Sequence, residues 1–516
     1  MSHLPRLPLL LALTFLLGAS ALALLALTGW EAAPDVHLWQ DPWFWQLLKF
    51  TAWQAFLSSL LSVGLALPLA RSLALDQQLP GKAFFLRWCL LCFVMPSLIL
   101  ITGLVIVFGR SGWLTPWLGS SWQLYGLGGI LLAHVFLNLP FAARVLSFQW
   151  AAIPASAWQL AAQLHLSPWQ RFRLVEWPVL RGLLPSVFGF IFLLCFNSFA
   201  VVLALGGGPA TSTLEVAIYQ ALKYNFNPSE ALFLAATQLL LAGSAFWFFY
   251  RSGRLEWLAP AADQQAWKPV SPPLVVWVGR LVYALTGIFL ALPLISLLPS
   301  AVGRGWSSIP WAALLEASGW SLFFALSASL LALLLAAYLA WQAGRMQSPT
   351  LKRVIQFAAL HHLVIPGMVL SVGIYIFFMQ RVNWLEHGWV AVIALNSLVA
   401  LPFAFSQLRP LVYEYQANYQ RLAASLALSP WVHWRRVILP FMRPALMRVA
   451  GLCLVLTLGD FAIFGIFGQP GQQTLPWLIY DLAGSYQLTQ AAVASLWLLL
   501  LAFLALMLLD VRERQT

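Results

Sequence analysis

The sequence predicts an all-α polytopic membrane protein with about 12 transmembrane helices in two parallel six-helix repeats. Of its 516 residues, 61% are hydrophobic and only 9% are charged, and the mean hydropathy is +0.82. So few charges cannot cover a water-facing globule, whereas about 20 consecutive apolar residues cross a bilayer as a helix. The apolar stretches are continuous, unlike the alternating pattern of transmembrane β-strands. The chain is therefore expected to cross the membrane many times as helices.

Twelve apolar stretches are candidates for these spans, six on each side of a polar segment. The stretches of the first half are, approximately, 7–29, 50–71, 84–108, 127–149, 183–205 and 231–250. Those of the second half are 275–298, 319–341, 354–379, 389–408, 446–468 and 488–509. The first stretch also has features of a signal peptide, because small residues follow its apolar run. With about 23 apolar residues it exceeds the usual core of about 7–15, so we expect it to be retained as a span.

The basic residues are distributed unevenly between the predicted loops. The formal charge is +12, and if the N-terminus is cytoplasmic, all but five of the 28 basic residues fall on cytoplasmic segments. This asymmetry is the positive-inside pattern, and it predicts that both termini of a multi-pass chain face the cytoplasm. The positive-inside pattern thus accounts for the excess of basic residues, and nucleic acid is not expected as a partner. The five exceptions are Lys49, Arg110, Lys223, Arg304 and Arg381.

The two halves of the chain repeat one another. The stretch LAAQLHLSPWQRFRLVEWPVLR at 160–181 returns as LAASLALSPWVHWRRVILPFMR at 422–443, without a gap. Because each half has an even number of spans, both halves enter and leave on the same side, and the repeats are parallel. The predicted domains are a first transmembrane half at 1–257, a cytoplasmic linker at 258–273 and a second half at 274–516.

The repeated segments, near 155–181 and 415–443, predict two rigid cytoplasmic knobs that dock a partner. Each reads as a short amphipathic helix, a break at Ser-Pro, and a second helix that runs from Trp169 to Pro178 in the first copy. Ser caps free N–H groups and Pro fits a first helical turn, while the small Ala161 and Ala162 allow close approach by a partner. An amphipathic helix lying on anionic lipid is the alternative, but lipid contact does not require the same Ser-Pro-Trp corner twice.

These segments resemble the EAA loops of the membrane-spanning subunits of bacterial ABC importers. The Ala pair, Ser-Pro-Trp and the closing Pro are present in both copies, whereas the family's Glu position is Gln159 and Arg421 and its Gly position is His165 and Ala427. The resemblance implies a type I ABC importer permease fold, with each loop supplying a coupling helix to an ATPase subunit. The implied coupling residues are Gln159, Ala161, Ala162, Leu164, Ser167, Pro168, Trp169, Phe172 and Pro178, and Arg421, Ala423, Ala424, Leu426, Ser429, Pro430, Trp431, Trp434 and Pro440.

Nearly the whole chain is similar to the fused permease of the thiamine and thiamine pyrophosphate importer. The similarity is carried by GILLAHVFLNLP at 129–140, SFAVVLALGGGPATSTLEVAIYQALKYNFNP at 198–228 and LGDFAIFGIFG at 458–468. It implies one permease chain per complex in a bacterial inner (cytoplasmic) membrane, working with two copies of an ABC ATPase subunit and a periplasmic substrate-binding protein. Fused permeases for ferric iron share the two-loop layout and are the nearest alternative.

No catalytic constellation is apparent in the sequence, so the chain is not expected to be an enzyme. A phosphate-binding loop needs G-x-x-x-x-G-K-[ST], and no such string occurs. Hence no cofactor is expected on this chain, and ATP-Mg would bind the partner subunits. No metal site is expected either, because side chains adjacent in a helix, such as His361 and His362, diverge. The four cysteines lie inside apolar spans and are expected to pack there.

The translocation pathway has one ionisable candidate, Asp460, the only acid that we place inside a span. A charge within a span is costly and often functional. Its counterpart in the repeat is Ser198, beside Asn197. The resemblance implies a cargo with a cationic thiazolium, which a carboxylate flanked by Phe199 and Phe461 would stabilise. The alternative is that Asp460 caps or hydrogen-bonds a neighbouring helix.

Two other classes of protein share parts of this pattern. An ion-coupled secondary transporter can have the same six-plus-six architecture, but it usually needs a relay of intramembrane acids or bases. A structural scaffold is the third possibility. On the outer side, Glu215, Glu230 and Asp481 with several tyrosines form loops on which a loaded binding protein could dock; a solvated surface is the alternative.

Overall fold

Every regular element in the described part of the chain is helical. The computed structural model describes residues 6–27, 33–119, 121–252, 272–302, 305–346, 348–419, 425–426, 428–469 and 471–510. Almost all of the predicted linker at 258–273 lies outside these ranges, as do both chain ends. The all-α fold class is confirmed.

The helices are numbered here in chain order, leaving out a few single turns. They are α1 (Arg6–Leu27), α2 (Pro42–Leu75), α3 (Lys82–Val94), α4 (Ser97–Phe108), α5 (Leu127–Ala151), α6 (Ala155–Gln163), α7 (Pro168–Leu180), α8 (Leu184–Phe196), α9 (Ala200–Leu205), α10 (Leu214–Lys223), α11 (Pro228–Ser252), α12 (Pro273–Val302), α13 (Trp311–Arg345), α14 (Pro349–Leu360), α15 (Gly367–Phe378), α16 (Trp384–Asn418), α17 (Pro430–Leu458), α18 (Ala462–Phe467), α19 (Leu475–Gly484) and α20 (Leu488–Asp510).

Not all of the predicted spans are single straight helices. Nine helices in the described ranges are long and apolar enough to cross a membrane, and counting three bent pairs of helices as spans raises the number to 12. The bends are 100° between α3 and α4, 56° between α7 and α8, and 96° between α14 and α15. The predicted spans at 84–108 and 354–379 are therefore each formed by two helices with a sharp bend between them. Pro96 and Pro366 lie at two of the breaks, because proline removes a helical hydrogen bond and disfavours helical backbone in the residue before it.

The contacts divide the chain into two compact units, and each unit contains helices from both sequence halves. Unit 1 comprises Met1–Asp41, Leu214–Leu240 and Arg304–Thr516, and unit 2 comprises Pro42–Thr213 and Leu241–Gly303. The first span of each half thus belongs with helices of the other half. The domain boundaries at 257 and 274 describe the repeat along the sequence and stay a prediction.

In unit 1, α1 packs against α14 and α15. A Cβ at Gly373 would lie 2.7 Å from the Cα of Ala23, so only glycine permits this approach. Nearby, the Ser20 hydroxyl lies 2.8 Å from Nε2 of His361 and 3.2 Å from Nε2 of His362. The expectation that these two histidines diverge is wrong, because they occupy a 3₁₀ turn and their ring centroids are 3.9 Å apart. The buried Ser–His–His contact ties the first helix to a bend formed 341 residues later.

In unit 2, α12 packs against α2 and α4. A Cβ at Gly103 would lie 2.3 Å from the carbonyl oxygen of Pro293, so glycine again permits the close approach of two helices. At the ends of these helices, the Arg280 guanidinium donates to the Asp76 carboxylate at 2.8 Å. The first helix of the second half is thereby fixed to helices of the first half.

Candidate functional site: two helical corners

The first repeated segment folds into two short helices joined by a tight corner. α6 ends at Gln163, and His165 follows with a φ of 48°, a left-handed conformation that is uncommon outside glycine. At the position where EAA loops have a glycine, this left-handed turn is formed by a histidine. Ser167 then starts α7, because its hydroxyl accepts from the Gln170 N–H while the Gln170 side chain accepts from the Ser167 N–H. This reciprocal capping fixes the angle between the two helices.

The second helix of the corner contains a widened turn before its proline. Residues Phe172–Glu176 form a π-helical turn, in which the Trp177 N–H donates to the carbonyl of Phe172, five residues earlier. Pro178 lacks an N–H and its ring would crowd a regular turn, so the wider turn accommodates it. The predicted end of this helix at Pro178 is wrong, because Pro178 lies in its last turn and the helix continues to Leu180.

A buried carboxylate anchors the first corner to the transmembrane helices of unit 2. Glu176 is fully buried and accepts from Arg71 of α2 at 2.7 and 3.0 Å and from the indole N–H of Trp150 of α5 at 3.0 Å. Arg171 approaches the same carboxylate at 3.9 Å. A charge in the protein interior is tolerated when it is paired and fully hydrogen-bonded. The corner is therefore rigidly connected to two long helices.

In the second repeated segment, the part that the structure describes forms the same capped second helix in unit 1, with a different anchor. Ser429 caps α17 by accepting from the Val432 N–H, and a π-helical turn again follows, at Trp434–Ile438. The position equivalent to Glu176 is Ile438. Instead of an ion pair, the buried Tyr415 hydroxyl is hydrogen-bonded to His433, and its ring packs on Phe441 with centroids 5.5 Å apart. An aromatic contact thus replaces the carboxylate.

Each corner carries a stacked pair of aromatic side chains, in which the tryptophan after the Ser-Pro step is exposed and Phe172 of the first pair is half-buried. Trp169 is stacked on Phe172 with ring centroids 5.7 Å apart, and Trp431 on Trp434 at 5.3 Å. Trp169 is 69% exposed and Trp431 is 63% exposed. Large apolar side chains that are rigidly held and exposed are suited to anchoring a protein partner.

The remaining predicted coupling residues are divided between the surface and the interior. The exposed ones are Gln159, Ala162, Leu164, Ser167, Pro168, Pro178, Leu426, Ser429, Pro430, Trp434 and Pro440. Ala161 is buried beside Trp158, so it packs inward, and its predicted contact with a partner does not agree with this burial. Arg421, Ala423 and Ala424 lie outside the described residues.

The candidate pathway residues lie at helix breaks in both units. In unit 1, Asp460 lies between α17 and α18, where its carboxylate accepts from the N–H groups of Ile463 and Phe464, both at 3.1 Å, and from the Asn396 amide at 2.9 Å. Asp460 therefore caps α18 and bonds to α16, as the alternative interpretation expects. Phe461 is buried and stacked on Trp477.

In unit 2, the equivalent break separates α8 from α9. Asn197 ends α8, Ser198 lies in the break, and Phe199 is buried before α9 begins. Both breaks follow an apolar helix and precede a six-residue helix, so the repeat extends to the interruption itself. The contribution of these residues to a pathway stays a prediction.

Several anchoring residues were not identified from the sequence. Arg71, Trp150, Glu176, Tyr415 and His433 were missed, although Glu176 is the only acid in the first repeated stretch and has no acidic counterpart in the second. This difference between the two copies was the sequence feature that could have identified Glu176 as an anchoring residue. Among the described residues, no group of three or more His, Cys, Asp or Glu side chains is arranged to hold a metal ion.

Comparison with known proteins identifies the family of this chain. Residues 328–512 match the family model for the binding-protein-dependent transport system inner membrane component. The thiamine transport system permease protein ThiP of Escherichia coli (strain K12) is 36% identical over 504 residues, covering 95% of this chain and 94% of the relative. ThiP of Salmonella typhimurium (strain LT2) is 36% identical over 517 residues, covering 98% and 96%. ThiP of Brucella abortus (strain 2308) is 33% identical over 519 residues, covering 97% and 94%. With this identity over its full length, the chain belongs to the family of thiamine transport system permease proteins, which are inner-membrane components of binding-protein-dependent transport systems.

Proposed function

We propose that this chain is the membrane permease of an ATP-driven importer that moves thiamine and its phosphates, delivered by a periplasmic binding protein. The observation that carries the proposal is the 36% identity over 95% of the chain to a protein named for thiamine transport. The relatives named for thiamine do not favour the ferric iron alternative.

The energy for transport comes from partner subunits. The sequence contains no phosphate-binding loop, so two copies of an ATPase subunit bind ATP-Mg, and one permease chain serves each complex. The surfaces proposed for these subunits are the stacked aromatic corners at Trp169 and Trp431. ATP must favour one arrangement of the permease over another through contacts that differ between the two states.

The rigid anchors of the corners support this coupling. The buried Glu176 ties one corner to α2 and α5, and the Tyr415–His433 contact ties the other to α16. A displacement imposed on either corner is therefore passed to long helices rather than absorbed by a loose loop. An ion-coupled secondary transporter has less support, because the one carboxylate placed in a span from the sequence, Asp460, is engaged in capping.

Transport can be tested with the purified permease, its binding protein and its ATPase reconstituted in proteoliposomes. Labelled thiamine should accumulate only when ATP is present on the ATPase side and loaded binding protein on the other. An ion gradient without ATPase should drive no uptake. Uptake driven by the gradient alone would favour a secondary transporter, and a complex that forms but moves no thiamine would contradict the cargo assignment.

The proposed location is a bacterial inner membrane, with both termini in the cytoplasm. The basis is the asymmetry of Lys and Arg between the predicted loops. Reporter fusions at the C-terminus that are active only in the cytoplasm should be active, and those that are active only in the periplasm should be silent. The reverse result would invert the orientation and place both corners on the wrong side for an ATPase.

A further inference from the structure

Two short helices in unit 1 bring together a group of aromatic side chains. α10 and α19 follow spans 5 and 11 of the sequence repeat, and the alignment of Thr213 with Thr474 makes Tyr219 equivalent to Tyr480. At ten residues each, both helices are too short to cross a bilayer. The group comprises Tyr219, Tyr224, Phe461, Trp477 and Tyr480, with Asp481 beside it; it is called the aromatic cluster below.

Trp477 is the centre of the aromatic cluster. Its ring is stacked on Phe461 with centroids 4.4 Å apart and meets Tyr480 edge to face at 5.7 Å. The ring centroid of Tyr219 lies 6.4 Å from that of Trp477, and Tyr224 meets Tyr219 edge to face at 5.8 Å. The indole N–H of Trp477 donates to the Phe461 carbonyl at 3.1 Å, which fixes the orientation of the ring.

A glycine allows the rings to lie close to α18. A Cβ at Gly465 would be 3.0 Å from the Trp477 ring and 3.4 Å from the Tyr219 ring, so a larger residue would displace one of them. Burial decreases across the cluster. Phe461 and Tyr219 are buried, Trp477 and Tyr480 are half-buried, and Tyr224 is 68% exposed. The cluster is thus rigid at its base and open at one edge.

The open edge carries one carboxylate. Asp481 is exposed and accepts from the Gln473 amide. Burial, together with Tyr224 and Asp481, raises the pKa of both Tyr219 and Tyr480, so both hydroxyls stay protonated and both rings stay neutral. Neutral aromatic faces beside a carboxylate attract planar cations, because the ring quadrupole and the negative charge act in the same direction.

We propose that the aromatic cluster is a binding site for a flat heteroaromatic cation, which it receives before translocation. This inference rests on the proposed function, in which the cargo is thiamine with its cationic thiazolium ring. A cation site at the open edge of the aromatic cluster explains why aromatic residues from both repeats converge there. An ordinary apolar contact would not require a carboxylate and an exposed tyrosine at its edge. A docking surface for the binding protein is the competing interpretation.

The test uses the complete reconstituted complex and measures two quantities. Uptake of labelled thiamine is compared for the wild type, Tyr480→Leu, Tyr224→Leu and Asp481→Asn, with Tyr480→Phe as the variant that keeps the ring. Tyr486→Leu is the matched control, because Tyr486 is a 90% exposed tyrosine close by in sequence. Association of the loaded binding protein with the complex is measured on the same preparations by surface plasmon resonance.

The expected result separates the two interpretations. Tyr480→Leu should lower the initial rate of uptake about tenfold, a size set by the usual strength of cation–π contacts. Tyr224→Leu and Asp481→Asn should each lower it about fourfold, because contacts made by exposed groups are weaker. Tyr480→Phe and Tyr486→Leu should stay within about twofold of the wild type, and association of the binding protein should not change in any variant.

Two results would overturn the inference. Wild-type rates in all cluster variants would remove the site, and a parallel loss of binding-protein association would assign the surface to protein docking. A wild-type complex that does not take up thiamine would instead contradict the proposed function, from which the cation was chosen. The two failures are therefore distinguishable.

Discussion

Arg71 holds the Glu176 carboxylate with two hydrogen bonds, of 2.7 and 3.0 Å, across 105 residues of sequence. The pair joins the first corner to α2, a helix of 34 residues. In the second corner an isoleucine occupies the equivalent position, and the anchor is aromatic. The repeat thus preserves the capped start and the π-helical turn of the corner's second helix, while the contacts that anchor this helix differ.

Removing the charge of Glu176 should loosen the first corner. Glu176→Ala leaves Arg71 and the Trp150 indole without their shared acceptor, and breaking a buried pair in this way typically costs about 3 kcal/mol. We expect a lower unfolding temperature of the purified permease, together with ATP hydrolysis that persists while thiamine uptake falls. The matched control is Asp76→Asn, which removes a more exposed ion pair in the same unit and should have a smaller effect. Equal effects of the two variants would contradict an anchoring role for Glu176.

The exposed aromatic corners should be required for ATPase binding and not for folding. Trp169→Ala combined with Trp431→Ala removes two anchors that are mostly solvent-exposed in the isolated chain. Because central aromatic anchors often contribute at least about 2 kcal/mol to an interface, ATPase affinity should fall by more than tenfold, measured by co-purification and titration. The unfolding temperature should not change. Trp117→Ala, at an 85% exposed tryptophan outside the corners, serves as the control and should bind ATPase normally.

Asp460 should behave as a helix cap. Asp460→Asn keeps an oxygen that accepts from the N–H groups of α18, so we expect uptake close to that of the wild type. Asp460→Ala removes the cap and should cost about 1 kcal/mol of stability. Thermal unfolding and thiamine uptake, measured on both variants, check this expectation. A strong loss of uptake in the asparagine variant, with normal stability, would instead support direct contact with a cationic cargo.

The stability of unit 1 should depend on pH through Glu215. Burial raises the pKa of this carboxyl to about 8, although the hydrogen bond from Gln238 acts in the opposite direction. In the unfolded chain a glutamate has a pKa of about 4.3. Between that pH and about 8, the folded protein therefore holds a proton on Glu215 that the unfolded chain has lost. The contribution of this proton to the free energy of unfolding is complete below the pKa of the unfolded glutamate and is lost as the pH rises through about 8. We expect the unfolding temperature to fall between about pH 5 and pH 9, and the fall to be smaller in Glu215→Gln. Parallel profiles for the two proteins would exclude this carboxyl as the cause.

The sequence predicted the helical class and the Ser-Pro helix start in both copies of the repeat, because hydropathy and a 22-residue repeat report directly on membrane helices and on capped turns. It did not predict the bends at Pro96 and Pro366, since an average over an apolar stretch carries no information on chain direction. Glu176 was missed because comparing the two copies identifies only the residues that they share. The anchoring residues differ between the copies, so this comparison does not identify them. The placement of α1 and α12 was also not predictable, because parallel repeats do not specify which neighbours a span will pack against.

The contact between Ser20 and His361 has a consequence for biogenesis. After α1 leaves the ribosome, it meets this partner only when a further 341 residues have been made. At about 5–20 residues per second, this corresponds to a delay of roughly 20 to 70 s. During that interval α1 lies in the lipid without the helices that it contacts in the folded protein. The N-terminal half therefore cannot complete its packing until the C-terminal half has been translated.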